Sequence, residues 1–364
     1  MGQQLLNQVF RVHKKDIHQF DLHETELGEL AEGEIRLKIS HYAMTSNNIT
    51  YAVSGFQLGY WKFFPTDEPF GIIPVWGYAD VVASHHAEIQ EGERCYGYFP
   101  MSTYCTFQPT KVTPMGFTDG AAHRQPLPAL YNNYTRVTAE KGLHQEALQH
   151  YVPIIHPLFA TSFLIYQFLK SDGFMGAEQV IITSASSKTS LGLAFMLSQH
   201  KALDGKQIIG FTSSRNADFV EATGYYDQVI TYEDNVSLAA APSVVVDMRG
   251  NHGFLSGVAD HLGDLLKHIV IVGLTDWQAR GDVNSLPNAK LFFAPSYFQN
   301  FFQAHGPKEA GRMLNEALMN FIRETQKNLE LAFITDTQQL AQLYGEMVQG
   351  KVDPTKGYVV KFPA

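Results

Sequence analysis

Cysteine, basic residues and long apolar runs are all scarce in this chain. Its 364 residues include two cysteines, Cys95 and Cys105, too few for a disulfide framework or a four-cysteine zinc cluster. No uninterrupted apolar run approaches the roughly 20 residues that span a bilayer, and residues 1–6 lack the basic-then-apolar pattern of a signal peptide. We therefore expect a cytoplasmic protein with no membrane partner.

The charge balance excludes a second class of partner. Lysine and arginine total 27 against 36 aspartate and glutamate residues, a net charge of −9, whereas nucleic acids bind clustered basic side chains. The 15 histidines are scattered and form no His-Glu-x-x-His pair, so we predict neither a metal site nor a nucleic-acid partner. With 45% hydrophobic residues, the chain has a globular composition and is long enough for two domains. Its expected partner is a small molecule.

Two regions differ in their sequence pattern. Residues up to about 115 are typical of strands separated by glycine and proline turns, and residues 117–150 form an insertion of different character. Beyond about 156, helices alternate with strands predicted at 179–184, 207–212, 228–231, 243–248, 268–273 and 290–294. Uniformly apolar strands between helices indicate a doubly wound parallel sheet. The predicted fold class is α/β, with a mainly β domain preceding that sheet.

The turn after the first strand of that sheet is the most informative stretch. Small polar residues and one lysine separate the apolar strand from a helix, and a helix start binds phosphate through its free N–H groups and its dipole. We predict that this turn holds a dinucleotide through Ser184, Ala185, Ser186, Ser187, Lys188, Thr189 and Ser190. Only Gly192 remains of the usual glycine fingerprint. A capped connection without a ligand is therefore the alternative.

The end of the second strand predicts which dinucleotide binds. Thr212, Ser213, Ser214 and Arg215 offer hydroxyl and guanidinium donors where an NAD site usually has a carboxylate. These donors suit a 2′-phosphate and predict NADP, unless the serines only cap the next helix and the arginine is solvated. Further cofactor contacts are predicted where later strands end, at Asp247, Met248, Gly273, Leu274, Thr275, Phe293 and Pro295.

The order of these parts resembles the medium-chain dehydrogenase/reductase superfamily, in which a GroES-like domain precedes a Rossmann domain. Pro74-Val75-Trp76-Gly77 resembles its Pro-x-x-Gly turn, and residues 91–98 resemble its Gly-Asp-Arg-Val-x-Gly strand. Zinc members carry Gly-His-Glu, whereas this chain reads Gly77-Tyr78-Ala79. The resemblance implies a GroES-like domain over 1–155 and 300–364, a Rossmann domain over 156–299, and a zinc-independent reductase similar to quinone or enoyl reductases.

Residues 123–134 are similar to an uncharacterised, mainly bacterial branch of that superfamily, known only as a domain of unknown function. Within this segment we predict substrate contacts from Arg124, Tyr131 and Tyr134. The alternative is that these side chains pin the insertion onto the barrel.

Hydride transfer to a carbonyl, quinone or enone requires a hydrogen-bond donor at the oxygen and a source of a proton. Tyr51 or Tyr42 is the candidate donor, Asn48 a candidate to polarise the substrate, and Thr161 a candidate to position the nicotinamide. We therefore expect an NADPH-dependent, zinc-independent oxidoreductase that acts in an interdomain cleft. Sheet edges in the Rossmann half make a homodimer plausible.

Two other functions stay open on the sequence alone. The first is a catalytically silent NADP(H)-binding sensor or interaction protein of the same fold, because fold does not fix function. The second is phosphotransfer, which is disfavoured because Ser187-Lys188-Thr189 lacks the glycines of a P-loop.

Overall fold

The computed structural model describes residues 6–137, 142–234, 237–273, 279, 281–282 and 285–361. The strands are β1 (Leu6–His13), β2 (Phe20–Glu26), β3 (Ile35–Met44), β4 (Phe70–Gly71), β5 (Pro74–Ser84), β6 (Arg94–Pro100), β7 (Tyr104–Phe107), β8 (Pro109–Thr113), β9 (Gly116–Asp119), β10 (Asn133–Arg136), β11 (Gln179–Ile182), β12 (Gln207–Thr212), β13 (Gln228–Thr231), β14 (Ser243–Asp247), β15 (Leu266–Ile271), β16 (Ala289–Leu291), β17 (Glu330–Ile334) and β18 (Lys356–Val360). The α-helices are α1 (Ser46–Val53), α2 (Val152–Ser171), α3 (Lys188–Gln199), α4 (Lys201–Asp204), α5 (Ala217–Ala222), α6 (His252–Leu262), α7 (Ala294–His305), α8 (Pro307–Thr325) and α9 (Thr337–Val348).

The chain forms two compact units. The first comprises Met1–Ile154, Glu330–Val352 and Lys356–Ala364, and the second comprises Ile155–Leu329 and Asp353–Thr355. A mainly antiparallel first unit and a parallel-sheet second unit match the predicted GroES-like and Rossmann architecture, so the predicted fold class is confirmed.

Two sheets make up most of the first unit. A three-stranded sheet has the order β2-β1-β4, and a nine-stranded sheet has the order β17-β18-β3-β5-β6-β10-β9-β8, with β7 paired to β3. Strand β10, from the predicted insertion, pairs with both β6 and β9. The insertion therefore extends the large sheet.

Helix α1 in the first unit was not predicted from the sequence. Its residues include β-branched Ile49, Thr50 and Val53, which lower intrinsic helix propensity. A capping box nevertheless starts the helix, because the Thr45 backbone N–H donates to Asn48 Oδ1 at 2.8 Å. The Pro-x-x-Gly segment also differs from the expected turn: Pro74 and Gly77 lie within β5, opposite Pro100 and Gly97 of β6.

The second unit contains a parallel six-stranded sheet with the order β13-β12-β11-β14-β15-β16. This is the doubly wound arrangement, with β11 and β14 adjacent at the point where the strand order reverses. Every residue of β11 and β14 is buried, as expected for strands covered on both faces.

The second unit extends to Leu329, whereas the sequence placed the return to the first unit at residue 300. Aromatic packing explains the difference. Phe321 of α8 lies with its ring centroid 4.9 Å from that of Phe159 in α2 and 5.2 Å from that of Phe195 in α3. Helix α8 is therefore part of the core of the second unit.

By length and composition, helix α2 could cross a membrane. However, 67% of its most apolar 18-residue stretch is buried within the protein. Burial of this kind is typical of the core helix of a soluble protein. The sequence pattern placed the start of this helix at Pro157, whereas the helix begins five residues earlier, at Val152.

Candidate functional site

The turn after β11 has a strained backbone at its first predicted cofactor residue. Ser184 adopts a φ of +46°, a left-handed conformation that glycine tolerates better than serine. Its N–H donates to the Tyr232 hydroxyl at 2.7 Å, and its carbonyl accepts from Ser187 N–H at 2.7 Å. Serine therefore occupies a backbone position of the type that usually selects glycine.

Serine side chains then organise the start of α3. Ser187 is the N-cap residue, and its Oγ accepts from Ser190 N–H at 3.2 Å. The buried Ser190 hydroxyl donates to the Thr183 carbonyl at 2.9 Å, which ties the helix to the end of the strand. In the described part of the chain, the backbone N–H groups of Ser186 and Thr189 donate to no protein acceptor. These N–H groups remain for an anion.

Ala185 and Ser186 are held by neighbouring segments. The buried Ala185 donates its N–H to Phe211 O at 2.9 Å and accepts from the Tyr226 hydroxyl at 2.9 Å. Asn216 Nδ2 donates to Ser186 Oγ at 3.0 Å. The turn is therefore fixed in shape before any ligand binds.

Lys188 supplies the positive charge of this turn. Its Nζ lies 3.5 Å from the carbonyl oxygen of Pro354, and burial lowers its pKa to about 8, against the opposing effect of the Asp353 charge. A lysine in the first helical turn beside unpaired N–H groups suits a phosphate. The donors present therefore fit the pyrophosphate of a dinucleotide.

Behind the turn, Thr183 and Asp247 connect β11 to β14. The Thr183 hydroxyl donates to Asp247 Oδ1 at 2.6 Å and accepts from Met248 N–H at 2.9 Å. Gly250 N–H donates to Asp247 Oδ2 at 2.8 Å. Burial raises the pKa of the Asp247 carboxyl, and these hydrogen bonds oppose that shift. Asp247 therefore holds the switch-point backbone in place.

The predicted 2′-phosphate donors are at the end of β12. Thr212 is buried, whereas Ser214 and Arg215 are exposed. The Ser214 hydroxyl donates to Glu233 Oε2 at 2.9 Å, and Arg249 stacks on Tyr232 with its guanidinium carbon 3.9 Å from the ring centroid. Two further residues that the sequence analysis did not select, Tyr232 and Glu233, therefore belong to this edge of the sheet, together with Arg249.

The other predicted cofactor positions are at later strand ends. Met248 is buried, and a Cβ on Gly273 would lie 2.2 Å from its carbonyl oxygen, so this close approach requires glycine. Phe293 is the N-cap residue of α7, and Pro295 follows in its first turn. Leu274 and Thr275 lie outside the described residues.

Thr161 and Gly192 mark where α2 approaches α3. The Thr161 hydroxyl donates to Pro157 O at 3.2 Å within its own helix. A Cβ on Gly192 would lie 2.7 Å from Ser162 Oγ, which explains why the last glycine of the fingerprint is retained. The nicotinamide-positioning role of Thr161 stays a prediction.

Asn48 and Tyr42 are both buried in the first unit. The Asn48 side chain accepts from Thr45 N–H at 2.8 Å and donates to Pro74 O at 3.1 Å, so its amide already stabilises α1. Tyr42 is fully buried, and burial raises its pKa well above the ordinary value. The catalytic roles of Asn48 and Tyr42 stay predictions.

Tyr51 lies among polar aromatic side chains. Its ring centroid is 5.7 Å from that of Tyr98, which is 5.1 Å from that of Trp76. Among the residues described, buried Trp76 Nε1 and the Tyr98 hydroxyl have no hydrogen-bond partner of good geometry. Burial raises the pKa of Tyr51, while nearby Trp76, Asn47 and Tyr98 lower it. We call Tyr51, Trp76, Tyr98 and Asn47 the Tyr51 cluster.

Arg124 is 1% exposed and is engaged by its own surroundings. Its guanidinium donates to Asp119, Asn132 and the Tyr134 hydroxyl at 3.1, 3.0 and 2.7 Å, and to Tyr131 O at 2.6 Å. The Tyr131 hydroxyl lies 3.4 Å from that of Tyr60. This geometry favours the pinning of the insertion over substrate contact.

Comparison with known proteins places the chain in a family. Residues 42–353 match a family described as "Protein of unknown function (DUF2855)". The chain belongs to the DUF2855 family. No curated protein matches it significantly.

Solved structures show that this DUF2855 chain has the medium-chain dehydrogenase/reductase fold, which confirms the resemblance. CurA from Vibrio vulnificus in complex with NADPH is 13% identical, with a TM-score of 0.59 and coverage of 100% of both chains. A quinone oxidoreductase from Coxiella burnetii is 15% identical, with a TM-score of 0.58 and coverage of 98% of this chain and 99% of that one. S. aureus TarJ in complex with NADPH is 11% identical, with a TM-score of 0.55 and coverage of 99% and 100%.

Within the described ranges, no group of three or more His, Cys, Asp or Glu side chains is placed to hold a metal ion.

Proposed function

We propose that the chain is an NADPH-dependent, zinc-independent oxidoreductase that transfers hydride to a carbonyl, quinone or enone of a small molecule. The observation that carries this proposal is the turn at the start of α3. There, left-handed Ser184, N-cap Ser187, half-buried Lys188 and the available Ser186 and Thr189 N–H groups form an anion-binding set. It stands at the carboxyl end of β11, beside the point where the strand order reverses, as dinucleotide sites of this fold do.

The preference for NADPH has two supports. Ser213, Ser214 and Arg215 follow β12 and offer donors for a 2′-phosphate. CurA and TarJ, which share the fold, were solved with NADPH.

Tyr51 is our candidate proton donor to the substrate. Bound NADPH would supply the hydride. A tyrosine phenol has an ordinary pKa near 10 and burial raises the pKa of Tyr51, so this phenol stays protonated at neutral pH and can donate a hydrogen bond to a developing oxyanion. Trp76, Asn47 and Tyr98 would then stabilise the phenolate that remains.

The first experiment measures NADPH binding and then its oxidation, followed by absorbance, with a panel of quinones, enones and aldehydes. We expect tight binding and turnover of at least one class, with Tyr51→Phe slower and its NADPH affinity unchanged. Arg215→Ala should weaken NADPH by about 1.5–3 kcal/mol and leave NADH little changed, because a charge-assisted bond is lost. An equal loss for both nucleotides would remove the reason for choosing NADPH.

A second candidate function is a catalytically silent NADP(H)-binding sensor of the same fold. It is favoured by the way Arg124 and the Tyr134 hydroxyl are used in internal hydrogen bonds, which leaves the predicted substrate contacts occupied. Binding of NADPH without oxidation by any compound of the panel would support this function. We propose a cytoplasmic location for either function. We also propose a homodimer, which a measurement of molecular size in solution tests.

A further inference from the structure

A carboxylate of the protein pairs with one of the predicted 2′-phosphate donors. Ser214 begins the short helical turn after β12, and Glu233 lies in the turn after the neighbouring strand β13. The Ser214 hydroxyl donates to Glu233 Oε2 at 2.9 Å. One of the hydroxyl donors that predicted NADP is therefore already paired with an anion of the protein itself.

A cation from a third strand end packs on the residue next to this carboxylate. Arg249 follows β14, and its backbone N–H is fixed by Asp247 Oδ1 and Thr183 Oγ1, each at 3.2 Å. Its guanidinium lies on the ring of Tyr232, the residue next to Glu233. The pKa of Glu233 is lowered by its own backbone N–H and by Ser214, and also by the charge of Arg249. A hydroxyl and a guanidinium around one oxyanion are also what a phosphate monoester requires.

We propose that Glu233 holds the place of the 2′-phosphate in the nucleotide-free protein and competes with it for Ser214 and Arg249, so that Glu233 limits the preference for NADPH over NADH. This inference rests on the proposed function. Two anions cannot share one set of donors without repulsion, so Glu233 must turn outward when a 2′-phosphate binds. NADH carries a hydroxyl at that position and does not require the displacement. The opposite arrangement, in which Glu233 accepts hydrogen bonds from the ribose hydroxyls of NADH, makes the opposite prediction for the same variant.

The test is the ratio of NADPH to NADH dissociation constants for the full chain and Glu233→Gln. We expect Glu233→Gln to tighten NADPH by roughly two- to fivefold, the size expected for an exposed charge interaction, and to leave NADH unchanged. Glu233→Gln should also bind adenosine 2′,5′-bisphosphate more tightly than the wild type does, whereas its affinity for 5′-AMP should not change. Glu221→Gln is the matched control, because Glu221 is an exposed glutamate of α5 in the same unit and the same charge is removed.

The outcomes separate this proposal from the one on which it rests. A weaker NADH complex with unchanged NADPH would overturn the placeholder role and make Glu233 a ribose ligand. An unchanged ratio, or an equal gain in Glu221→Gln, would overturn it while the oxidoreductase proposal stands. If neither nucleotide binds the wild-type chain or either variant, both proposals fail together. Added NaCl should reduce the gain of Glu233→Gln, because exposed charges are screened.

Discussion

The Thr183 hydroxyl donates a hydrogen bond of 2.6 Å to Asp247 Oδ1 and so joins the ends of two neighbouring parallel strands. Both side chains are buried. The same hydroxyl oxygen accepts the backbone N–H of Met248 at 2.9 Å. One side chain therefore satisfies a buried carboxylate and the backbone that follows β14.

We expect Thr183→Val to destabilise the protein by about 2–3 kcal/mol, because a hydrogen bond to a charged group is lost and a buried N–H is left without its acceptor. Thr183→Ser keeps the hydroxyl and should cost less. Urea unfolding at pH 7 measures both. Equal losses for valine and serine would mean that the methyl group, and not the hydroxyl, stabilises this position.

Ser184→Gly is expected to stabilise the protein, by about 0.5–1 kcal/mol. Ser184 has a φ of +46°, and the relief of its left-handed strain outweighs the extra freedom that glycine gives the unfolded chain. Ser186→Gly, two residues later, has no positive φ to relieve and serves as the control. Thermal unfolding of the two variants checks the difference, and a loss of stability in Ser184→Gly would contradict the strain.

The sequence predicted the second unit better than the first, for a physical reason. Strands β12 and β13 have the predicted bounds of 207–212 and 228–231. Five of the six residues of β12 are buried, and a parallel strand buried on both faces is a continuous apolar run. The sequence did not predict helix α1, because many of its residues are poor helix formers. Its stability comes from a capping box and from the burial of Ile49.

The sequence analysis also missed side chains that form hydrogen bonds with residues far away in the sequence. The Tyr232 hydroxyl reaches Ser184 N–H across 48 positions of the chain, and Glu233 reaches Ser214 across 19. Such pairs arise because β11, β12 and β13 are neighbouring parallel strands whose carboxyl ends meet at one edge of the sheet. A search of each strand end for charged and aromatic residues would have selected Tyr232 and Glu233.

Arg124→Met is expected to destabilise the protein by about 3–5 kcal/mol, because it leaves the buried Asp119 carboxylate without its cation. Arg312→Met is the matched control: Arg312 forms exposed ion pairs with Glu309 and Glu316 on α8, and its loss should cost far less than the loss of the buried Arg124. Chemical denaturation measures both. If Arg124 instead contacts substrate, its replacement should reduce turnover while the unfolding free energy stays near that of the wild type.

His41 should make stability depend on pH in the acid range. It is buried, its Nε2 lies 2.9 Å from Gln149 O, and burial lowers its pKa to about 4, with the charges of His150, Arg94 and Lys361 acting in the same direction. The imidazole of His41 therefore binds a proton near pH 6.5 in the unfolded chain, whereas in the folded chain it binds one only near pH 4. The unfolding free energy should fall by about 3 kcal/mol as the pH falls from 6.5 to 4.

His41→Gln should remove that slope. His85→Gln, which replaces an exposed histidine, should leave the slope intact. Urea unfolding of the three proteins at several pH values between 4 and 7 compares them. A His41→Gln protein with the wild-type slope would assign the pH dependence to other groups.

Lys188 should make nucleotide binding depend on pH in the alkaline range. Burial lowers its pKa to about 8, so the ammonium that attracts phosphate is present below that pH and is lost above it. A bound phosphate favours the charged form and raises the pH at which the ammonium loses its proton, so we expect the NADPH dissociation constant to rise between about pH 8 and 10.

Lys188→Arg keeps its charge throughout this range and should bind with no such rise. Lys188→Gln lacks the charge at every pH, and it should bind about tenfold more weakly and without the rise. A rise of wild-type size in Lys188→Arg would assign the titration to another group and separate Lys188 from the phosphate.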